Sequence, residues 1–550
     1  MFQMKNIKYI LLSAVLIGFT ACSDDDNASA MDEVLPELTA GSADFSNYVS
    51  LGNSLTAGFT DNALFIAGQQ TSFPNTLSQK FSLVGGGNFT QPLMNDNFGG
   101  MAIGGNRILD PRLVFGGAGP LPLEAVIGPV TVTTDLAINN PTGPFNNMGV
   151  PGAKSFHLLA PGYGNIAGLS TTPQTANPYF VRMASDPNTS VLADAMAQSP
   201  TFFSLWIGNN DVLGYALSGG ESNPAAPNYN PITPVDGPPG FGFNESYGAL
   251  IATLTSQGAQ GVVANIPDVT SIPHFTTVPY NPLDPTNPSF GPQIPTLNGI
   301  FGQLNQVFAF LQVPERSIVF SETSASAVVI RDESLTNLST EITTVFLNSP
   351  TFVPFVESFG LPAAAAPQVA GLLGIVYGQA RQATADDLFV LPSSSVIGTV
   401  NEDFAAFLAS QGLPPTLAGQ FSVEGVSLPL EDKWCLTPTE QNEIAMATNT
   451  FNATIQATAS QAGLAFVDAN ALLNQLANGG IPSGSFVLDG SLVFGGAFSL
   501  DGVHPTARGY ALIANEFMKA IDETYGSNFE ASGNLVNVGD YPTNFPPSLQ

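Results

Sequence analysis

Basic residues, cysteine and histidine are all scarce in this chain, and each shortage removes a class of function. Lysine and arginine together number 13 against 43 aspartates and glutamates, for a formal net charge of −30. A surface of that sign repels phosphate backbones and bare anionic lipid heads, which excludes nucleic acid as a partner. The acidity is read as surface solubility rather than as a specific cation-binding role. Two cysteines exclude a disulfide framework and a cysteine-based metal site. Beyond the N-terminal segment no run of about eighteen uninterrupted apolar residues occurs, so no transmembrane helix is expected. No internal repeat is present, and the 55 glycines and 44 prolines are dispersed, as in a chain with many turns. Hydrophobic residues make up 44%, enough for a substantial core in one large elaborated domain or two smaller ones.

The first 21 residues read as a targeting segment. Lys5 and Lys8 form a basic start, and Tyr9 to Phe19 an apolar stretch too short to span a bilayer. Thr20-Ala21-Cys22 then places small residues directly before a cysteine. This resembles the lipobox of bacterial lipoproteins, although Phe19 stands where leucine is more usual. Ser23-Asp-Asp-Asp26 resembles the export tags of surface lipoproteins in some Gram-negative bacteria. The resemblance implies lipidation at Cys22 and a chain anchored to the outer membrane, exposed at the cell surface. Cys435 is then left without an intramolecular partner. A simple signal peptide with an incidental Cys22 is the alternative.

Residues 22–44 read as a flexible tether. Short apolar runs bounded by turn residues follow at Asn47–Leu51, Thr201–Ile207, Gln260–Ile266 and Leu464–Val467, as expected of buried parallel strands. Phe243, Tyr247, Leu250, Ile251 and Leu254 mark a helix face stopped by Gly258. Thr437-Pro-Thr-Glu440 is a capping box that opens a helix ended by Gly463. A last helix is expected from about Ala507 to Ile521, followed by a C-terminal tail over 527–550. This alternation predicts an α/β class, with a doubly wound parallel sheet in a domain over 45–526. Three segments break the alternation: 62–145, with β-like pieces such as Pro129–Val132, 217–241, and 275–430. They read as large loop and helical insertions over the sheet, the last with helical candidates around Phe301–Leu311 and Val369–Tyr377.

Four blocks carry chemistry. In the first, an apolar strand ends in Gly52-Asn53-Ser54, placing a serine hydroxyl where a helix begins and backbone N–H groups are unclaimed. Ser54 is a candidate nucleophile there, and a helix N-cap is the plainer reading. Near the C-terminus stands Asp501-Gly-Val-His504. Fully extended, the two ends lie roughly 10 Å apart, and Gly502 and Pro505 permit a turn that folds the carboxylate back onto the imidazole. His504, one of three histidines, is the leading general base. His157 and His274 lack a carboxylate nearby in sequence. Gly208-Asn209-Asn210-Asp211 follows a strand, where a side-chain amide can donate to an oxyanion and Asp211 can cap the next helix. Asn147-Met-Gly149-Val-Pro-Gly152 reads alone as a loop whose glycine lets the backbone approach a substrate.

In order and local chemistry these blocks resemble the SGNH (GDSL-type) hydrolase family. The resemblance implies a flavodoxin-like sheet, with Ser54 as nucleophile and Asp501 and His504 completing the triad. It further implies an oxyanion hole built from Ser54, Gly152 and Asn210, and needs neither metal nor organic cofactor. Asn53 departs from the family, which more often has aspartate there. The implied activity is hydrolysis of carboxylic esters, of lipids or of short to medium acyl chains, through an acyl-enzyme. Carbohydrate O-deacetylation is the alternative substrate class, and a catalytically inactive surface binding lipoprotein the alternative of another kind. The oligomeric state is left open.

Overall fold

The computed structural model describes residues 35–550; the targeting segment, Cys22 and the first part of the tether lie outside the described residues. Its centre is a five-stranded parallel sheet, built from β1 (Tyr48–Gly52), β2 (Asn147–Gly149), β3 (Phe202–Trp206), β4 (Gln260–Ala264) and β5 (Ala465–Val467). The strands lie in the order β2-β1-β3-β4-β5, that of a doubly wound sheet whose winding reverses between β1 and β3. Strands β1 and β3 run in register, from Tyr48 opposite Phe202 to Gly52 opposite Trp206.

Four of the five strands coincide with expected runs to within one or two residues at their ends, the first being shifted by one to include Gly52. The fifth, β2, falls in a block read as a loop. Asn147-Met-Gly149 carries no β-branched residue, and its strand exists because its backbone pairs with Ser50–Gly52 of β1. Pro129–Val132 forms no strand. The 62–145 segment instead carries two hairpins, Met101–Ile103 with Asn106–Leu109 and Leu113–Phe115 with Pro120–Pro122.

Alternate residues of each strand enter two cores, one on either face, because side chains on a strand point to opposite sides. Val49, Leu51, Phe203, Leu205 and Val263 face one way. They meet α4 (Phe243–Thr255) through Tyr247, Leu250 and Leu254, and α5 (Pro438–Ala462) through Ile444, Phe451 and Ile455. These two helices follow α1 (Ser54–Ala57), α2 (Phe73–Phe81) and α3 (Asn209–Leu217) in the chain and precede α6 (Ala469–Asn478) and α7 (Ala507–Tyr525). Tyr48, Phe202, Val262, Ala465 and Val467 face the other way, against Phe73, Leu77 and Phe81 of α2 and Phe517, Met518 and Ile521 of α7. Ser50 and Ser204 share that face, and their hydroxyls are satisfied in a chain with Tyr48 Oη, each link 2.7 Å. The capping box opens α5: Glu440 Oε2 accepts from the Thr437 N–H at 2.6 Å, and Gly463 closes the helix in the left-handed region. Helix α7 runs four residues past the expected end because Tyr525 anchors it, its hydroxyl donating to Gly261 O of β4 at 2.7 Å.

The 275–430 insertion has a hydrophobic core of its own. Phe301 and Phe308 of the helix Ile294–Phe310, Phe346, Tyr377 and the strand Val329–Arg331 bury one another there. It is therefore more than a layer of loops over the sheet. Residues 35–44 of the expected tether and the C-terminal tail are held against the domain. The Thr39 N–H donates to Asn528 Oδ1 and the Ser42 N–H to Tyr525 O, and Phe529 packs in the core beside Phe45 and Phe81. The buried Arg112 guanidinium holds the end of the chain through Phe545 O, Pro546 O and Leu549 O. Cys435 is buried as a free thiol. Among the described residues, no single helix is long and apolar enough to cross a membrane.

Candidate active site

The loops after β1 and β3 leave the sheet at its C-terminal edge, where the winding reverses and a crevice opens. Glycine is required at both exits. A Cβ on Gly52 would lie 2.1 Å from Thr56 Oγ1 and 2.4 Å from Trp206 O. Gly208 has φ +116 and would meet Ile266 Cδ1 at 2.7 Å. Asn53, rather than Ser54, caps α1, its Oδ1 accepting from the Leu55 N–H at 3.0 Å. Its amide donates to Asn209 Oδ1 at 3.0 Å, joining the two turns. Ser54 thus begins the helix with its hydroxyl uncommitted to capping.

That hydroxyl lies 2.9 Å from His504 Nε2, and His504 Nδ1 lies 2.8 Å from Asp501 Oδ2. Three residues from two ends of the chain form one line. The turn at Gly502 folds the Asp501 carboxylate back until Oδ1 accepts from the N–H groups of Val503 and His504, both at 2.8 Å. The His274 N–H donates to Gly502 O at 2.9 Å and fixes the turn from outside. Burial alone would push the Asp501 carboxyl up. Attraction to the His504 imidazole, the hydrogen bond with it and those two backbone donors outweigh it, holding the group well below the ordinary carboxylate range. Asp501 therefore stays an acceptor, fixing the imidazole with Nδ1 protonated and Nε2 free to take a proton. The Phe59 ring, centred 4.6 Å from that of His504, covers the imidazole.

Two supporting residues escape a reading by motif. The Asn62 N–H donates to Asp501 Oδ2 at 2.9 Å, and Ser499 Oγ to Asp501 Oδ1 at 3.0 Å. Ser499 Oγ also accepts from the Asp61 N–H at 3.0 Å. Asp61 and Asn62 both have positive φ, 50 and 61, a conformation aspartate and asparagine tolerate better than other side chains. Thr60-Asp-Asn-Ala63 is a turn signature, the one local sign of this support in the sequence.

The remaining expected donors come from two neighbouring loops. Asn210 lies in the first turn of α3, and its Nδ2 donates to Ala153 O at 2.9 Å, leaving the second amide hydrogen. That bond ties Asn210 to the loop carrying Gly152. Among the described residues, neither the Gly152 N–H nor the Ser54 N–H donates to a protein acceptor. Asp211 does not cap α3, whose N-cap is Gly208. Its carboxylate takes the Ser155 N–H and Oγ, both at 2.8 Å, and anchors the Gly152 loop a second time. His157 stacks on Tyr163 in the same region, and its partial burial, with the nearby Lys154 charge, lowers its imidazole to about 4. Neither His157 nor His274 joins the line.

Ser54, His504, Asn209 and Asn210 open onto a cavity of about 90 Å³, which Gly152 does not line. Beyond those polar groups and Asn53 its walls are apolar: Val269, Ile272, Leu472, Leu476, Phe498 and Leu512 among them. The site thus offers a hydroxyl beside a base, unclaimed N–H groups close by in the fold, and an apolar recess. No protein-family model matches the chain, and neither a curated protein nor a solved structure shows significant similarity to it.

Proposed function

We propose that this chain is a serine esterase of the SGNH (GDSL-type) kind, cleaving carboxylic esters with an apolar acyl group. The observation that carries this reading is the unbroken line from Ser54 Oγ through His504 to Asp501, at 2.9 and 2.8 Å. The strand order and the position of Ser54 and Asn210 at the winding reversal also support membership of that family. In the reaction His504 Nε2 takes the Ser54 proton as Oγ bonds to the ester carbonyl carbon. The resulting oxyanion accepts from the N–H groups of Ser54 and Gly152 and from the Asn210 amide. Collapse breaks the bond to the alkoxide, which leaves with the proton held by His504. Water then gives a proton to His504 and its oxygen to the acyl carbon, and the acid departs as Ser54 is reprotonated.

The apolar cavity beside Ser54 favours an acyl chain over a sugar ring, which needs polar partners. A buried cavity of about 150 Å³ accommodates benzene, so about 90 Å³ encloses a few carbons, and a longer chain extends out of its open mouth. Lipidation at Cys22 and a place on the outer-membrane surface belong to the same proposal and rest on the sequence resemblance. Cys22→Ser should release the protein from membranes. The decisive test is fluorophosphonate labelling together with hydrolysis of p-nitrophenyl esters of rising chain length beside acetylated xylan. Labelling at Ser54, absent in Ser54→Ala, with turnover of acyl esters is expected. Absence of labelling in the wild type would leave a binding lipoprotein, and preference for acetylated sugar would establish the deacetylase.

A further inference from the structure

Four acidic side chains converge far from the triad in sequence, where the insertion meets the sheet domain. Glu221 comes from the loop after α3, Glu333 from just beyond the strand Val329–Arg331, Asp432 from the chain leaving the insertion, and Glu440 from the first turn of α5. Carboxylate oxygens of Glu221, Glu333 and Asp432 lie within 4.8 Å of one another. Asp432 is only 6% exposed, and neither of its carboxylate oxygens has a hydrogen-bond partner. An isolated buried carboxylate with no donor is strongly disfavoured. Burial and the repulsion of Glu440, Glu333 and Glu221 push this one up to about 8.

The surroundings supply little compensation. Arg331 reaches Glu333 only at 3.9 Å, and the remaining polar contacts of the four carboxylates are Ser222 Oγ on Glu333, the Asn223 N–H on Glu221 and the Thr437 N–H on Glu440. Lys433, next to Asp432, pairs instead with Glu431, and Arg381 with Asp332 and Asp387. The backbone is nonetheless moulded onto the acids. A Cβ on Gly219 would meet Asp432 O at 2.3 Å, and one on Gly220 would meet Glu440 Cγ at 2.4 Å. Two glycines thus bring Glu221 against Asp432 rather than letting the like charges separate.

We propose that Glu221, Glu333 and Asp432 bind one Ca²⁺ ion. The donors are all oxygen, with no histidine or cysteine in the set, which selects a hard cation over zinc or copper. Ca–O bonds of about 2.3–2.6 Å allow two ligand oxygens across the ion to stand about 5 Å apart. Oxygens that lie within 4.8 Å of one another meet that limit, and three carboxylates supplied directly by the protein suit Ca²⁺ better than Mg²⁺, which keeps several waters and takes one or two carboxylates. The ion joins three separate segments, the loop after α3, the insertion and the approach to α5, so it staples the insertion's core to the sheet domain. Part of the acidic excess then has a specific use beyond solubility. The site is independent of the esterase reading.

The test uses the protein stripped with EDTA, followed by Ca²⁺ titration calorimetry and Tb³⁺ luminescence, with Trp434 close to Asp432 as sensitiser. One saturable site is expected, with a Kd of about 10⁻⁴ to 10⁻³ M. Saturating Ca²⁺ should raise Tm by roughly 2–5 °C. Asp432→Asn and Glu221→Gln should each weaken binding tenfold or more. Glu221 lies on a half-exposed loop, so its variant keeps the test valid if Asp432→Asn misfolds. Uptake that never saturates, binding unchanged in Glu221→Gln, or tighter binding of Mg²⁺ than of Ca²⁺ would overturn the proposal. None of these readouts requires ester hydrolysis.

Discussion

The Asn53 side-chain amide donates to Asn209 Oδ1 at 3.0 Å, and this buried bond holds the turn bearing Ser54 against the turn bearing Asn210. The same side chain caps α1 through the Leu55 N–H. A carboxylate at position 53 would keep the cap and lose the donation. The asparagine is thus matched to Asn209, which gives an amide rather than a carboxylate at position 53 a local reason.

Asn53→Ala removes both bonds. Loss of the cap costs about 1 kcal/mol, and leaving Asn209 Oδ1 unpaired in a buried site about 1–3 kcal/mol more. Urea unfolding should show a destabilisation of about 2–4 kcal/mol. Turnover should fall more than KM rises, because the two turns hold reacting groups rather than the remote acyl chain.

In the proposed mechanism Asn210→Ala removes one oxyanion donor, and with it the tie to Ala153 O. A loss of about 10²–10³ in kcat is expected, with KM for p-nitrophenyl butyrate changed far less. An equal effect on both constants would assign Asn210 to substrate binding instead.

Asp61 predicts a pH dependence of stability. Burial, aided by the neighbouring charge of Asp501, raises its carboxyl from 3.8 to about 7 against the opposing Leu500 N–H and Arg112. A raised folded value means that the native state holds the proton where the unfolded chain has lost it. The contribution of Asp61 is therefore fully present below about pH 4 and is lost as pH rises to about 7. Three units correspond to up to about 4 kcal/mol. Asp61→Asn, which retains an acceptor for the Leu500 N–H, should be close to wild type in unfolding free energy at pH 4. It should exceed wild type progressively toward pH 8. A constant difference across that range would refute the assignment.

The C-terminal segment offers a test of how the first insertion is held. Deleting residues 543–550 removes three carbonyl acceptors from the buried Arg112 guanidinium and the Phe545 ring packed on Phe65 at 5.1 Å. Burial of a phenylalanine side chain is worth about 1.5–3 kcal/mol, so a loss of about 3 kcal/mol or more is expected in urea unfolding. A disordered tail would cost nothing.

The parts of this fold legible in sequence are those specified locally. The runs at Val49, Phe203 and Val263 are apolar enough to declare buried strands, and the Thr437 and Glu440 cap is written in four consecutive residues. Asp501 and His504 are three apart, so their turn is also local. The strand Asn147–Gly149 was hidden because only its pairing with β1 makes it a strand. Asn62 and Ser499 support Asp501 through one backbone N–H and one hydroxyl, groups that any sequence supplies, so beyond the turn signature at Thr60-Asp-Asn-Ala63 nothing in residue type marks them. The insertion's separate core depends on which apolar helices meet, and periodicity shows that a helix has an apolar face without showing what covers it.

In the proposed esterase, acyl-chain length is set by the α6 wall of the cavity, where Leu472 is partly buried and lines the recess beside Ser54. Leu472→Trp adds volume at the edge of the core, where a larger ring has room to adjust, and so shortens the recess with little loss of stability. Each methylene that no longer fits forfeits about 1–3 kcal/mol of transition-state binding. The kcat/KM for p-nitrophenyl octanoate should therefore fall tenfold or more, while that for the acetate stays within about twofold. The acetate serves as the internal control, because its reaction uses Ser54, His504 and the oxyanion donors but not the far end of the recess. A parallel fall for both esters would mean that the substitution disturbed the triad, and a fall for neither would mean that the chain lies elsewhere.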